Sequence, residues 1–333
     1  MSNFDVITFG SAAWDAFMDM PSKLIRKDKQ LPSGRGFAFN MGSKIDIPGT
    51  HFAFGGGGVN TAATFAAQGF ATAHCGMVGD DIPGREVLAY LKYLGIDTSL
   101  ASKTDKRSTN NSVVLNAPGT DRVILVYRGA SEILAAENID WGQLNAKLFY
   151  LAPLSGKLCR LTERITAHAK NQGAMVAANL GNSQLAMGRA CIKSLLARID
   201  VLILNKEEAS ALTGVSYADE KNIIKKTAHI HQGINVITKG AEGATVIAEG
   251  KIYEAKLKKF KVADVTGAGD AFASGFMSGM MASDNDIEYS MKLALVNAKH
   301  CLSSRGAGKL LKKDDRYLIE KENIKIKIKS LEC

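Results

Sequence analysis

The chain has 333 residues, 46% of them hydrophobic and 23% charged, with only six prolines. That balance excludes a mainly disordered chain, and a chain of this length can bury roughly three quarters of its unfolded surface. The net charge of +9 is spread along the sequence without an Arg-rich run interleaved with aromatics, so neither nucleic acid nor a membrane is expected as a partner.

Short apolar runs alternate with longer amphipathic ones. Phe4 to Gly10, Ala71 to Val78, Leu148 to Leu154, Met175 to Leu180, Val201 to Asn205 and Asn235 to Thr238 read as strands. Their near-continuous apolar character suits a sheet covered on both faces. Val59 to Gln68, Gly84 to Leu94, Leu158 to Gln172, Lys206 to Leu212 and Ala218 to His231 read as helices. The alternation implies a three-layer α/β/α sandwich around a mostly parallel sheet. After Gly243 come a β-rich segment, Ala244 to Val262, and two helices, about Gly267 to Ala282 and Ile287 to Leu302.

Two regions break the pattern. Residues 16–54 are polar and Gly-containing, and residues 111–128 read as a hairpin turning at Pro118-Gly119. Both are expected to form a small β-sheet lid on a single domain spanning residues 1–333. The alternating Ile324 to Ser330 reads as an edge strand whose lysines oppose aggregation. Met1 to Asp5 lacks the basic start and apolar run of a secretory signal. The longest apolar stretches fall well short of the roughly 20 residues that span a bilayer. The five cysteines stand singly, so reduced thiols in a cytoplasmic protein are expected rather than a disulfide framework or a zinc site.

Two glycine-rich motifs open helices. In Gly55-Gly-Gly-Gly-Val-Asn60 the backbone can approach a ligand closely, and a helix N-terminus offers unpaired N–H groups. In Asp264-Val-Thr-Gly-Ala-Gly-Asp270 the N–H groups of Gly267, Ala268 and Gly269 can converge on an anion. Asp270 then stands beside that nest, placed to take a proton from an alcohol as its oxygen attacks a phosphoryl group. No GxxxxGK[ST] occurs, since Gly308-Lys309 is followed by Leu310, so phosphates would be held by this nest rather than by a P-loop.

With these motifs the chain resembles the PfkB family of carbohydrate kinases, in the ribokinase-like superfamily. Gly79-Asp-Asp-Ile-Pro-Gly84, Asn205-Lys-Glu-Glu208, Thr238-Lys-Gly-Ala-Glu-Gly243 and Arg305-Gly-Ala-Gly308 follow in the family's order, and the resemblance covers about residues 4–310. It implies an ATP-dependent kinase acting on a hydroxymethyl group of a sugar. Asp270 would be the general base, and Gly267, Ala268 and Gly269 the anion hole. Asp15, placed at the end of the first strand, would bind sugar hydroxyls, with Gly56, Gly57 and Asn60 also at the substrate. Asn205, Glu208, Thr238, Gly240 and Gly243 would serve the nucleotide, with Asn297 beside the adenine. Glu208 would help organise Mg²⁺ through water. Asp264 and Thr266 fall where related enzymes hold a monovalent cation, usually K⁺. A homodimer through the lid is a further expectation of this kind.

Substrate positions depart from the family's pattern. Gly57 stands where many ribokinase-type chains have Lys, no Glu follows Leu151-Ala-Pro-Leu154, and Ala177-Ala-Asn-Leu-Gly-Asn182 replaces a D-P-N-x-R stretch. A nucleoside kinase acting on a ribose 5′-hydroxyl is therefore the alternative, and a sugar or nucleotide sensor without turnover a third reading. The lid carries Phe37, Phe39, Phe52 and Phe54, which would serve a nucleoside base if they face the substrate.

Overall fold

A computed structural model describes residues 3–31, 33–117, 121–304, 306 and 309–331. The Pro118-Gly119 turn, and Arg305, Ala307 and Gly308 of the last motif, lie outside the described residues. The strands are β1 (Phe4–Phe9), β2 (Ala13–Asp19), β3 (Ile25–Lys27), β4 (Arg35–Phe37), β5 (Gly49–Gly55), β6 (Thr72–Cys75), β7 (Met77–Gly79), β8 (Ser102–Thr104), β9 (Asn111–Asn116), β10 (Val123–Tyr127), β11 (Ala146–Leu151), β12 (Met175–Asn179), β13 (Val201–Asn205), β14 (Ile234–Thr238), β15 (Ala244–Ala248), β16 (Lys251–Ala255) and β17 (Lys327–Ser330). The helices are α1 (Gly57–Ala67), α2 (Ile82–Tyr93), α3 (Gly156–Arg160), α4 (Thr162–Asn171), α5 (Asn182–Leu185), α6 (Arg189–Leu196), α7 (Lys206–Thr213), α8 (Glu220–Ile230), α9 (Ala268–Ala282), α10 (Ile287–Leu302) and α11 (Leu318–Lys321).

Among the described residues, a nine-stranded sheet has the order β17-β16-β15-β14-β13-β12-β11-β1-β6. From β14 to β6 neighbouring strands run parallel; β15, β16 and β17 add on antiparallel. Alternate residues enter opposite cores, as the two-residue period of a strand requires. Ile7, Phe9, Phe149 and Leu151 pack on the side of α3, α4, α6, α7 and α8. Val6, Leu148 and Tyr150 pack on the side of α1, α9 and α10. The expected α/β/α sandwich is therefore present, and β17 forms its lysine-bearing edge.

A second sheet, β10-β9-β2-β5, stands on the C-terminal end of β1. Its β9–β10 pair is the expected antiparallel hairpin. The main chain leaves β1 at Gly10 and enters this sheet at Ala13, three residues earlier than the sequence indicated. Asp15 consequently lies within β2, paired with Ala53 of β5, and not at the end of β1.

Other boundaries also differ. The Ala71 to Val78 run is broken: β6 joins the main sheet and β7 pairs with β8. A side chain at Gly76 between them would strike His74 and the Gly10 carbonyl, and the Gly76 carbonyl accepts from Ser102 N of β8 at 2.8 Å. The Leu158 to Gln172 helix divides at Leu161. Strand structure after Gly243 stops at Ala255 rather than Val262, and α5 and α6 are additional helices; the buried Ile192, Leu195, Leu196 and Ile199 of the α6 region follow a helical period. No helix of the described residues is long and apolar enough to cross a membrane.

Candidate active site

The site forms where β1 ends, β5 passes into α1, and α9 begins. Gly56, at φ 93°, makes the turn from β5 into α1, and a Cβ there would lie 2.5 Å from the Ser11 carbonyl oxygen. Only glycine accepts both that dihedral and that approach. The turn is tied down by Gly57 N donating to Ser11 Oγ at 3.2 Å and Gly58 N to the Ser11 carbonyl at 3.1 Å. Gly267 caps α9 in the left-handed conformation, at φ 75°. Among the described residues, the N–H groups of Gly267, Gly269 and Asp270 have no hydrogen-bond partner, leaving them available to an anion at the positive end of the helix.

These turns bring Asp270 against α1. Asn60 Nδ2 donates to Asp270 Oδ2 at 2.8 Å. Burial pushes the Asp270 carboxyl above the usual carboxylate range, and the Asn60 hydrogen bond pulls it partway back. A raised carboxyl is better matched to proton abstraction near neutral pH. Gly57 is equally close: a Cβ there would lie 3.5 Å from Asp270 Oδ1 and 2.9 Å from the Ala152 Cβ.

A cavity of about 150 Å³ opens above Asp270, lined by Asp15, Phe17, Ala53, Phe54, Gly55, Gly56, Gly57, Asn60, Thr266, Gly267 and Gly306. Alternation along β2 sends Asp15 and Phe17 into it. Burial raises the Asp15 carboxyl, opposed by the Ser112 hydroxyl and backbone N–H of neighbouring β9. Its Oδ1 is buried without a hydrogen-bond partner. A buried acceptor left open is unfavourable unless a ligand hydroxyl or water completes it. A larger hollow, about 540 Å³, lies elsewhere, between α8 and the β16–β17 edge. It contains none of the motif residues.

Asp264 works from below. Its Oδ1 accepts from Thr266 N at 3.0 Å and Thr266 Oγ1 at 2.9 Å, and its Oδ2 from Gly306 N at 2.9 Å. It thus closes the loop before α9 onto the loop after α10. The Asp264 carboxylate and the Thr266 hydroxyl are oxygen donors, the type that fits a hard cation such as K⁺.

The other expected residues sit apart from this cavity. Asn205 and Glu208 form a reciprocal cap on α7: Asn205 N donates to Glu208 Oε2 and Glu208 N to Asn205 Oδ1, both at 2.8 Å. Burial raises the Glu208 carboxyl, moderated by the backbone hydrogen bond to Asn205. Thr238 pairs with Asn205 at the C-terminal edge of the parallel strands. Gly240 and Gly243 close the turn into β15, with Gly243 N donating to the Gly240 carbonyl at 3.1 Å. Oxygen donors on this edge, where open α/β sheets bind ligands, fit Mg²⁺ held mainly by phosphates and water. Asn297 is 1% exposed. Its amide donates to the Ala271 carbonyl at 2.7 Å and accepts from Leu311 N at 3.3 Å, which ties α10 to α9.

Sequence reasoning did not single out Phe17, Ala53 or Ser112, and it had Gly306 only within the Arg305–Gly308 motif, with no role at the site. Their contribution depends on lid strands and a distant loop meeting in space. The alternating pattern of β2 could have indicated Phe17, two residues from Asp15.

Over residues 33–314 the chain matches the pfkB family of carbohydrate kinases, and it belongs to that family. It is 28% identical to a ribokinase of Haemophilus influenzae over 264 residues, 77% of this chain and 83% of the relative. In three dimensions it resembles Arabidopsis thaliana ribokinase complexed with ribose and ATP, with a TM-score of 0.77, 21% identity, and coverage of 96% of this chain and 99% of that one. It also resembles a nucleoside kinase of Methanocaldococcus jannaschii, with a TM-score of 0.74, 20% identity, and coverage of 96% and 100%. The ribokinase-like fold expected from the motifs is thereby established.

Proposed function

We propose that this protein is an ATP-dependent kinase that phosphorylates a hydroxymethyl group of a small sugar. The observation that carries the proposal is the Asp270 carboxylate, oriented by Asn60 at 2.8 Å beside the free N–H groups that begin α9. Asp270 takes the proton of the hydroxymethyl group. The sugar oxygen forms a bond to the γ-phosphorus as the bond to the β–γ bridging oxygen breaks, and ADP leaves. The free N–H groups at Gly267 and Gly269 meet the charge of the transferring phosphoryl group, joined by that of Ala268, which otherwise donates to the Val265 carbonyl at a long 3.4 Å. Asp15 holds sugar hydroxyls through its open Oδ1, with Gly56, Gly57 and Asn60 completing the sugar's surroundings.

Asn205, Glu208, Thr238, Gly240, Gly243 and Asn297 would shape the nucleotide side. Mg²⁺, when bound, neutralises nucleotide phosphate charge, and Glu208 would reach it through water. Asp264 and Thr266 would hold K⁺, steadying the loop that precedes the anion hole. In this reading residues 1–333 act as one cytoplasmic kinase domain, and the small sheet is a lid that keeps water from the reaction.

The aromatic packing supports a sugar over a nucleoside. Phe54 stacks on Tyr90 with centroids 4.3 Å apart, Phe52 packs on Trp14 at 5.6 Å, and Phe37 stacks on Phe39 at 6.3 Å. Each of these phenylalanines already has an aromatic partner; Phe54 also lines the cavity, but at about 150 Å³ that cavity is small. A screen of sugars and nucleosides for ADP release tests the proposal; turnover on adenosine, inosine or cytidine above that on every free sugar would replace it with the nucleoside reading.

A homodimer through the lid belongs to the same proposal. Val123 to Tyr127, on the sheet-edge strand β10, are five successive exposed apolar residues, a surface that soluble proteins normally cover. Leu125→Lys should convert a dimer to a monomer in sedimentation; a wild-type monomer would remove this part.

A further inference from the structure

A row of buried polar side chains crosses the main sheet beneath the first turn of α1. Thr8 of β1 is in register with Tyr150 of β11 on one side and His74 of β6 on the other. In parallel strands such partners leave the same face of the sheet, here the face toward α1 and α9. All three are fully or almost fully buried.

The hydrogen bonds of Thr8 and His74 run toward the site, while the Tyr150 hydroxyl is buried without a partner. Thr8 Oγ1 donates to the Gly58 carbonyl at 3.2 Å and lies 3.2 Å from His74 Nδ1. A hydroxyl has one proton. With it spent on Gly58, the hydrogen between Thr8 and His74 comes from Nδ1. The imidazole is then the Nδ1–H tautomer, and Nε2 is a buried acceptor without a partner. Burial keeps the ring neutral by pushing its pKa down to about 4.

The helix rests directly on this row. A Cβ at Gly10 would lie 2.6 Å from Gly58 N, and one at Gly58 would lie 2.5 Å from His74 Cε1. Glycine at both positions lets the first turn of α1 settle onto the imidazole. Asn60, in that turn, carries the amide that reaches Asp270.

We propose that His74 is a positioning residue: through Thr8 and the Gly58 carbonyl it sets the first turn of α1, and with it the Asn60–Asp270 hydrogen bond. The proposal rests on the reading of Asp270 as the base. An aliphatic side chain at position 74 would fill the space without leaving a buried acceptor open. What it could not supply is the Nδ1 proton that holds Thr8 turned toward Gly58.

His74→Leu, His74→Asn and Thr8→Val separate positioning from packing. The Asn amide can place a donor where Nδ1 stands. In His74→Leu and Thr8→Val, loosening of the Asn60 contact should move the acid limb of the kcat–pH profile up by about one unit, a tenfold loss of rate below the limb. The KM for nucleotide should hold. The double variant should move the limb no further than either single one, and His74→Asn should leave it in place. A merely destabilised fold lowers the active fraction without moving the limb. A folded His74→Leu with an unmoved limb overturns the proposal, as does an equal displacement in His74→Asn or a summed displacement in the double variant. Amide exchange at Gly58 and Asn60, whose N–H groups bond to Ser11 and Gly56, is measured alongside. It should accelerate about tenfold in His74→Leu and Thr8→Val, as local opening becomes easier, and stay unchanged in His74→Asn. Wild-type protein that phosphorylates no sugar or nucleoside would refute the kinase reading alone. Unchanged exchange in His74→Leu would refute this one.

Discussion

Replacing Asn60 by Ala removes one hydrogen bond from the expected base and one side chain from the wall of the sugar cavity. The Asn60 amide donates to Asp270 Oδ2 at 2.8 Å, and a hydrogen bond to a charged group contributes ~1.5–3 kcal/mol. It favours only the ionised carboxylate, so its loss appears as a rise in the Asp270 pKa at 1.36 kcal/mol per unit, or about one to two units. Asp270 is half-buried, and water reaching the carboxylate will supply part of what the amide gave, so the lower figure, about one unit, is expected. Burial already raises this carboxyl, and the substitution moves it further in the same direction. Catalysis needs the ionised form, so rate is lost as pH falls through the pKa, and in Asn60→Ala that loss begins about one unit higher. The assay is kcat against pH under saturating sugar and nucleotide, which reports the base in the ternary complex. Well above the limb the variant should keep most of its rate; below it the deficit should approach tenfold. An acid limb in the wild-type position, in a variant with normal melting, would refute the assignment of Asn60 as the partner of an ionised base. Asn60→Asp sharpens the test: two carboxylates at this distance cannot both ionise readily, so its limb should move further still.

Asp270→Asn should lower kcat by ~10²–10⁴ with nucleotide affinity little changed, measured by coupled ADP release and nucleotide titration; near-normal turnover would remove Asp270 from the base role. Asp15→Ala should weaken sugar binding by ~2–4 kcal/mol, from two hydrogen bonds to a carboxylate partly replaced by water, and calorimetry should show nucleotide binding intact; equal losses for both ligands would point to a collapsed lid instead. Gly57→Ala would place a Cβ 2.9 Å from the Ala152 Cβ, so sugar turnover should fall while the fold, followed by circular dichroism, persists. His74 has a folded pKa of about 4 against an ordinary value of 6.5, so between these pH values the unfolded chain binds the additional proton. Its contribution should therefore lower unfolding free energy by roughly 3 kcal/mol as pH falls from 6.5 to 4, and denaturant titration of His74→Leu should show a correspondingly shallower acid slope.

What could be read from the sequence follows from local physics. Val201 to Asn205 and Met175 to Asn179 are strands because a doubly covered parallel strand is apolar along nearly its whole length, and nothing distant is needed to see it. Asn205 and Glu208 stand three residues apart and close their cap within one turn of chain. Gly56 and Gly267 are legible for the same reason, since each marks a turn where a helix begins. The remainder came from groups separated by most of the chain. Asn60 and Asp270 are 210 residues apart and meet only because α1 and α9 cover the same face of the sheet. Asp15 sits in the lid rather than at the end of β1 because the backbone crosses to a second sheet at Ala13, a change of partner that an apolar run does not announce. Pairing of Phe54 with Tyr90 likewise depended on how the lid meets α2. His74, in the short strand Thr72–Cys75, carries no periodicity signal. Its place beneath α1 was decided by the register of three parallel strands and by two glycines that let the helix descend onto them. Hydrophobic period and turn chemistry act over a few residues and survive in the sequence; the contacts that orient a carboxylate depend on packing between layers, which only the folded chain brings together.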